Sequence, residues 1–516
     1  MRKTIPTLAS VTIAGALIAT TAIGGIASPA LANGPDKFNK SDKGRAQNVI
    51  LLVGDGMGRT HVTAGRERFE GAAGLLRMET LPSQGYVKTY AVEENSGQPG
   101  EPDFVPNLVT DSASSATAWA SGVKSYNAAL GVDAKGTVVP TAMELAKQAG
   151  YRTGNVSTAE ITDATPAGQM SHVLARGCQG PVYSAASCQN TDVTGAPLGT
   201  NDIRVTPVAK QIARNGTADV IFGGGLGRFD AADEQALEAQ GYSVLGSIAD
   251  KVPATRTDLQ AATGEKVFGL FNTGNLTVEK TKRENPSAVQ AAEPSLPEMT
   301  GKAIEVLAQD KKQGKGKGEG KGQGKSQGFF LQVEGALIDK RSHANDAAQT
   351  LEEIKAFDDA VAVAMDFAER DGNTLVIVTA DHECAGFNII EKGSFTNAEA
   401  VNPPGNVDSG NTANNSTPTR PGRSTLDPTR STGPINGAGS ANPNNFAPAT
   451  FRTADDAADV QDGSPEASLW LSYLSGNHTG ADVPIYSYGP GSNAMNGTLD
   501  NTDLFGIMTD ALRLRR

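Results

Sequence analysis

The stretch Val49-Ile50-Leu51-Leu52-Val53-Gly54-Asp55-Gly56-Met57-Gly58 joins an unbroken apolar run to a carboxylate set among glycines. A short apolar run of this kind predicts a buried strand of a parallel sheet. The same order of parts returns twice. Phe329-Phe330-Leu331-Gln332-Val333 leads into Glu334-Gly335-Ala336, with Asp339, Lys340 and His343 beyond. Leu375-Val376-Ile377-Val378-Thr379 leads into Ala380-Asp381-His382-Glu383. Gly154–Ser157 and Val220–Phe222 are two more such runs. Helical patterns lie between them, at Thr141–Ala149, at Met299, Ala303, Val306 and Leu307, and at Leu351, Ile354, Val361 and Met365. Strands alternating with helices predict an α/β fold, a three-layer sandwich with a central, mostly parallel sheet flanked by helices. Ligand sites of such sheets lie beyond the carboxyl ends of the strands, which is where these acids fall.

Like charges gathered on one rim repel and lose hydration unless cations sit among them. The donor types bear on which cations. Asp339 and His343 are four apart, so a helical turn puts both on one face. Asp381 and His382 are adjacent at a strand end. Asp with His suits zinc, and oxygen-only donors suit magnesium. Of the five histidines, His343, His382 and His478 fall in candidate ligand motifs. The last stands in His478-Thr479-Gly480, just before a strand-like Ile485–Tyr488, while His61 and His172 read as structural.

A nucleophile candidate lies in Thr110-Asp111-Ser112-Ala113-Ser114-Ser115-Ala116-Thr117-Ala118-Trp119, where an Ala-rich helix begins at or near Ser112. Helix N-terminal amides and the dipole stabilise an alkoxide and a phosphate. A plain Ser cap is the commoner meaning of an isolated Asp-Ser pair. With no G-x-S-x-G elbow around Ser112 and no plausible His-Asp relay, metal coordination remains as the way to activate the oxygen. Gly223-Gly224-Gly225-Leu226-Gly227 lacks the Lys-Ser/Thr ending of a P-loop and reads as a turn.

The chain has 516 residues and a net charge of −12, which speaks against nucleic acid as a partner. Met1-Arg2-Lys3, the apolar Val11–Ile26 and Ala30-Leu31-Ala32 predict a secretory signal peptide over 1–32 rather than a stable membrane anchor. The mature chain then starts at Asn33 and is secreted, extracellular or cell-wall associated. In that oxidising setting Cys178 and Cys188, which close a short loop, read as a disulfide. Cys384 reads as a buried small hydrophobe in preference to a zinc ligand. Residues 311–328 repeat Lys, Gly and Gln and are expected to form a mobile loop. Residues from 402 to about 452 read as a long irregular insertion. Both tracts decorate one domain spanning 33–516.

Taken together, the motifs Val53–Gly58, Thr110-Asp111-Ser112-Ala113, Asp163-Ala164-Thr165-Pro166, Gln332-Val333-Glu334-Gly335, Asp339-Lys340-x-x-His343, Thr379-Ala380-Asp381-His382 and His478-Thr479-Gly480 resemble, in this order, the alkaline phosphatase family. The resemblance runs from about Asn48 to Thr502–Phe505. It implies hydrolysis of small-molecule phosphate monoesters through a phosphoserine at Ser112, with two zinc ions and one magnesium. It implies Asp339, His343 and His478 as ligands of the first zinc. Asp55, Asp381, His382 and the Ser112 oxygen are implied for the second, and Asp55, Thr165 and Glu334 for the magnesium. Arg176 matches the arginine that grips phosphate, with Asp111 to orient it. Asp163 and Lys340 resemble the pair that holds hydrated magnesium and contacts phosphate through water. The Cys178–Cys188 pair matches a family disulfide. The family also implies a homodimer, although 402–452 replaces what is often a crown or interface region. Sulfatases, phosphodiesterases and phosphomutases share such metal sites, but Ser112-Ala113-Ser114-Ser115 lacks the sulfatase pattern, and the diesterases often use Thr. A binding protein without catalysis is disfavoured by the complete nucleophile, arginine and ligand set.

Overall fold

Ten strands hydrogen-bond into one sheet in the computed structural model, which describes residues 45–309, 327–390, 392, 449–464 and 466–514. In chain order they are β1 (Asn48–Gly54), β2 (Ser83–Lys88), β3 (Arg152–Glu160), β4 (Val220–Gly224), β5 (Ser243–Leu245), β6 (Val267–Leu270), β7 (Phe329–Gly335), β8 (Thr374–Thr379), β9 (Val483–Tyr488) and β10 (Gly497–Asp500). Their order across the sheet is β10-β2-β9-β8-β1-β7-β3-β4-β6-β5. Neighbours are parallel except where β9 runs reversed between β8 and β2.

Every residue of β1, β7 and β8 is buried, as unbroken apolar runs require. The cover comes from helices α1 (Arg59–Phe69), α2 (Ser112–Ser121), α3 (Ala142–Gln148), α4 (Leu296–Leu307), α5 (Leu337–His343), α6 (Ala347–Asp371) and α7 (Asp503–Ala511). α4 and α6 pack together on one face, α2, α3 and α7 on the other, with β3 held between α3 and α4. This is the three-layer α/β sandwich that the alternating pattern predicts. Buried polar side chains on the strands tie layers together. Gln332 of β7 accepts from Trp119 Nε1 of α2 at 3.2 Å and donates to the Thr165 carbonyl at 2.8 Å.

Local chemistry sets the element ends. Asp111 caps α2 by accepting from Ser114 N at 2.9 Å, and Gly122 closes it at φ 78°. Thr141 and Glu144 form a capping box on α3. α1 buries only His61, Val62, Ala64 and Gly65, a face too small to give apolar periodicity.

Asn388–Ile390, Ala449–Phe451 and Leu469–Ser472 form a separate three-stranded antiparallel sheet. The expectation of irregular structure up to about 452 is therefore corrected at its end. Ala449 and Phe451 join a second apolar cluster with Leu469 and Leu471, and that burial holds them extended. The predicted signal peptide over 1–32, residues 311–326 and residues 402–448 lie outside the described residues. Among the described residues no helix is long and apolar enough to cross a membrane.

Candidate metal and phosphate site

β7, β1 and β8 are neighbours, with Val53 opposite Glu334 on one side and Thr379 on the other. Parallel pairing at this register delivers Asp55, Glu334 and Asp381 to one rim, each of them buried. The sharp exit from β1 depends on Gly56 at φ 70°, whose amide donates to Asp381 Oδ1 at 2.9 Å. Burial, with the charges of Asp339, Asp381 and Glu334 added, pushes the Asp55 carboxyl well above the usual range. Burial likewise raises Glu334 to about 8, against the hydrogen bond it accepts from the Ser157 hydroxyl.

Two groups of donors stand beside this rim. One is Asp55, Asp381 and His382, all buried. The other is Asp339, His343 and His478 together with Cys384. α5 supplies Asp339 and His343 from one face, and the short strand His478–Thr479 pairs with Glu383–Cys384 to bring in His478. His343 Nε2 lies 3.2 Å from Asp339 Oδ2, and His478 Nε2 lies 3.6 Å from Asp339 Oδ1. His343 Nδ1 donates to the Gly476 carbonyl at 2.7 Å, and His478 Nδ1 to the Thr110 carbonyl at 3.0 Å. A carbonyl only accepts, so each Nδ1 carries a hydrogen and each Nε2 is the atom turned towards Asp339, the tautomer that metal-binding histidines use.

The residues fit metal ions. Asp55 Oδ1, Asp339 Oδ1 and Asp381 Oδ2 are buried oxygens that make no hydrogen bond. Buried carboxylate oxygens without partners cost several kcal/mol each unless a cation meets them (roughly 1–3 or more). Asp339 is held well below the carboxylate range. Burial opposes this, but the hydrogen bond from His343 and the charges of His382, His343 and His478 outweigh it. Burial first, then His382, lowers His478 to about 4.

Ser112 opens the ten-residue α2 and is 3 % exposed. Its Oγ stands 3.2 Å from His382 Nε2, which also lies 3.1 Å from Asp381 Oδ2 and 3.7 Å from Asp55 Oδ1. Next to it Arg176 is held from two sides, Nη1 by Asp111 Oδ2 at 3.2 Å and Nη2 by Asp163 Oδ1 at 2.8 Å. Asp163 Oδ2 accepts from Lys340 Nζ at 2.7 Å. The two cations hold Asp163 well below the carboxylate range against its burial. Thr165 sits in the four-residue turn that Asp163 caps, its main chain fixed by Gln332.

All the residues singled out in the sequence thus meet in one region, but some contacts had no signal there. The bond of Arg176 to Asp163, Ser157 against Glu334, and Cys384 beside Asp339 are tertiary encounters. Ser157 is one of several polar residues of β3, so nothing in the strand's sequence set it apart. His61 borders the site, close enough to feel the charges of Asp339 and His382, and His172 pairs outside it. His61 stacks on Phe387 at 4.5 Å and bonds Ser342, with burial lowering it to about 3. His172 pairs with Glu144 at 2.9 Å. Cys178 and Cys188 form the expected disulfide.

Comparison with known proteins agrees with this arrangement. The sequence profile of the alkaline phosphatase family matches residues 46–514. The chain is 34 % identical to alkaline phosphatase of Escherichia coli, over 92 % of this chain and 88 % of that one. It is also 34 % identical to streptomycin-6-phosphate phosphatase of Streptomyces griseus, over 97 % of each. The fold is shared with alkaline phosphatase of Thermus thermophilus, at a TM-score of 0.61 and 22 % identity, covering 94 % of this chain and 96 % of that one. A family match across nearly the whole described chain, on residues whose donor groups suit cations, leads to one assignment: the chain belongs to the alkaline phosphatase family and is a metal-binding phosphomonoesterase.

Proposed function

We propose that the chain hydrolyses phosphate monoesters in two displacements, with the Ser112 oxygen as the first nucleophile. The observation that carries the proposal is the place of Ser112 Oγ at a helix N-terminus, 3.2 Å from His382 Nε2 in the buried donor group. Asp339, His343 and His478 would hold one zinc, Asp55, Asp381, His382 and Ser112 a second, and Asp55, Thr165 and Glu334 a magnesium. Bound there, these cations would lower the pKa of the serine hydroxyl and of water and offset charge on the ester oxygens.

The other tasks fall to the chain itself. Arg176 offers its fork to two phosphate oxygens, already aimed by Asp111 and Asp163. Lys340, held by Asp163, adds a second positive charge and orders the waters around the phosphate. The α2 amides and dipole meet the negative charge that builds at Ser112. In the first displacement the Ser112 O–P bond forms and the ester O–P bond breaks, releasing the alcohol. In the second, water takes the place of Ser112 and inorganic phosphate leaves. Two inversions give net retention at phosphorus. The reading extends to export with cleavage after Ala32 and to a homodimer, supported by Ala30-Leu31-Ala32 and by the family resemblance.

The test is an assay of p-nitrophenyl phosphate, a sulfate ester and a phosphodiester at alkaline pH, before and after chelation. Preference for the monoester, loss on chelation and recovery with zinc plus magnesium are expected. Preference for either other ester, or full activity in the chelated protein, would overturn the proposal.

A further inference from the structure

We infer that the centre formed by Asp339, His343 and His478 has a fourth protein donor, the sulfur of Cys384. The inference rests on the metal-centred reading above and adds a ligand to it. Three segments converge on this cysteine. Its amide donates to the Gly56 carbonyl at 3.1 Å. It lies directly opposite His478 in a two-stranded antiparallel ribbon, an arrangement that puts two side chains on the same side. Its thiol donates to the Asp339 main-chain carbonyl at 3.7 Å. The sulfur, an Asp339 carboxylate oxygen and one nitrogen of each imidazole all lie within 4.8 Å of one another.

Asp339 points independently to a cation in the same space. Its side chain is 7 % exposed and its Oδ1 makes no hydrogen bond. Gly56 keeps that space open, since a Cβ there would stand 2.8 Å from Cys384 Cβ and 2.9 Å from Asp339 Oδ1. A thiolate, two imidazoles and a carboxylate make a donor set that suits zinc or cobalt and disfavours magnesium. Burial of a small apolar residue would explain the packing of Cys384 against its apolar neighbours, but not its place opposite His478 and within 4.8 Å of the Asp339, His343 and His478 donor atoms. Cys384 is 0 % exposed while the His343 side chain is 38 % exposed, so the sulfur occupies the buried side and leaves the solvent side to water and substrate. On ligation the sulfur electron pair goes to the cation and the thiol proton goes to solvent, with no change of oxidation state.

Cys178 and Cys188 are joined, so Cys384 is the only free thiol. The experiment loads the metal-depleted full chain with cobalt(II) and records its absorption spectrum, alongside C384S and H343A. A sulfur-to-cobalt charge-transfer band in the near ultraviolet, lost in C384S while the visible d–d bands survive, is expected. Competition with a chelator should show the C384S centre holding cobalt at least about tenfold more weakly. Visible bands that depend on His343, without a charge-transfer band in the native chain, would overturn the inference and leave the metal centre standing. Visible bands unchanged in H343A, or none at all, would overturn both. The native spectrum decides the point even should a variant fail to fold.

Discussion

The Nε2 atoms of His343 and His478 face each other at 3.1 Å, while each Nδ1 bonds a main-chain carbonyl. Two inward lone pairs beside the Asp339 carboxylate are relieved only by a shared cation or by a proton. The hydrogen bond with Asp339 raises His343 above its ordinary range, so a proton and a cation compete for the lone pair of this ring.

Cation uptake at this centre should therefore release a proton. A protonated imidazole has no lone pair to give, so affinity should fall as pH drops and His343 takes up its proton. Calorimetric zinc titrations in two buffers of different ionisation enthalpy measure both quantities. Affinity that does not change between pH 8 and pH 5 would contradict the arrangement.

Asp163 holds Arg176 and Lys340 at once. Asp163→Asn keeps the shape but removes the charge that both cations answer. Loss of one or two charge-assisted bonds, about 1.5–3 kcal/mol each, should lower kcat/KM by at least about tenfold. Inorganic phosphate should also inhibit the variant more weakly. Steady-state kinetics with phosphate as the inhibitor checks this, and unchanged values would remove Asp163 from the site.

Gly56 combines a φ of 70° with close contact to Cys384 and Asp339. Gly56→Ala should cost on the order of 1–3 kcal/mol of stability and displace Asp339, so that metal content falls together with the melting temperature. Elemental analysis of the purified variant reads the first effect and calorimetry the second. A variant with full metal content and native stability would show that the turn has slack.

Glu353 lies on α6 at 4 % exposure, outside the motifs, and burial raises it from 4.5 to about 8. A raised acid favours the protonated fold. Its contribution is fully present below pH 4.5 and is lost as pH rises through about 8. Glu353→Gln removes that loss while the amide oxygen still accepts from the Glu279 amide. The variant should gain on the order of a few kcal/mol over the parent at pH 9 and nothing near pH 4. Melting curves across that range decide it, and a gain that shrinks as pH rises would reverse the sign.

What the sequence made legible was local. Unbroken apolar runs such as Val49–Val53 gave away buried strands, and the acids just beyond them lay where parallel sheets put ligands. The four-residue step from Asp339 to His343 survives because α5 is helical. Tertiary events were not legible. Nothing in Val483–Tyr488 declares that β9 runs against its neighbours. α1 escaped notice because its buried face, His61, Val62, Ala64 and Gly65, carries almost no apolar bulk to repeat. Cys384 met His478 only through a ribbon joining distant segments, so its place among the donors had no spacing to announce it.

The central claim is that the phosphoryl group passes through Ser112. Incubation with labelled phosphate monoester, acid quenching within one turnover and peptide mapping by mass spectrometry test it directly. The account predicts phosphate on the peptide containing Ser112, and its absence in Ser112→Ala together with a loss of turnover of at least about a thousandfold. Turnover that proceeds with no phosphorylated peptide, or with label on another residue, would contradict it.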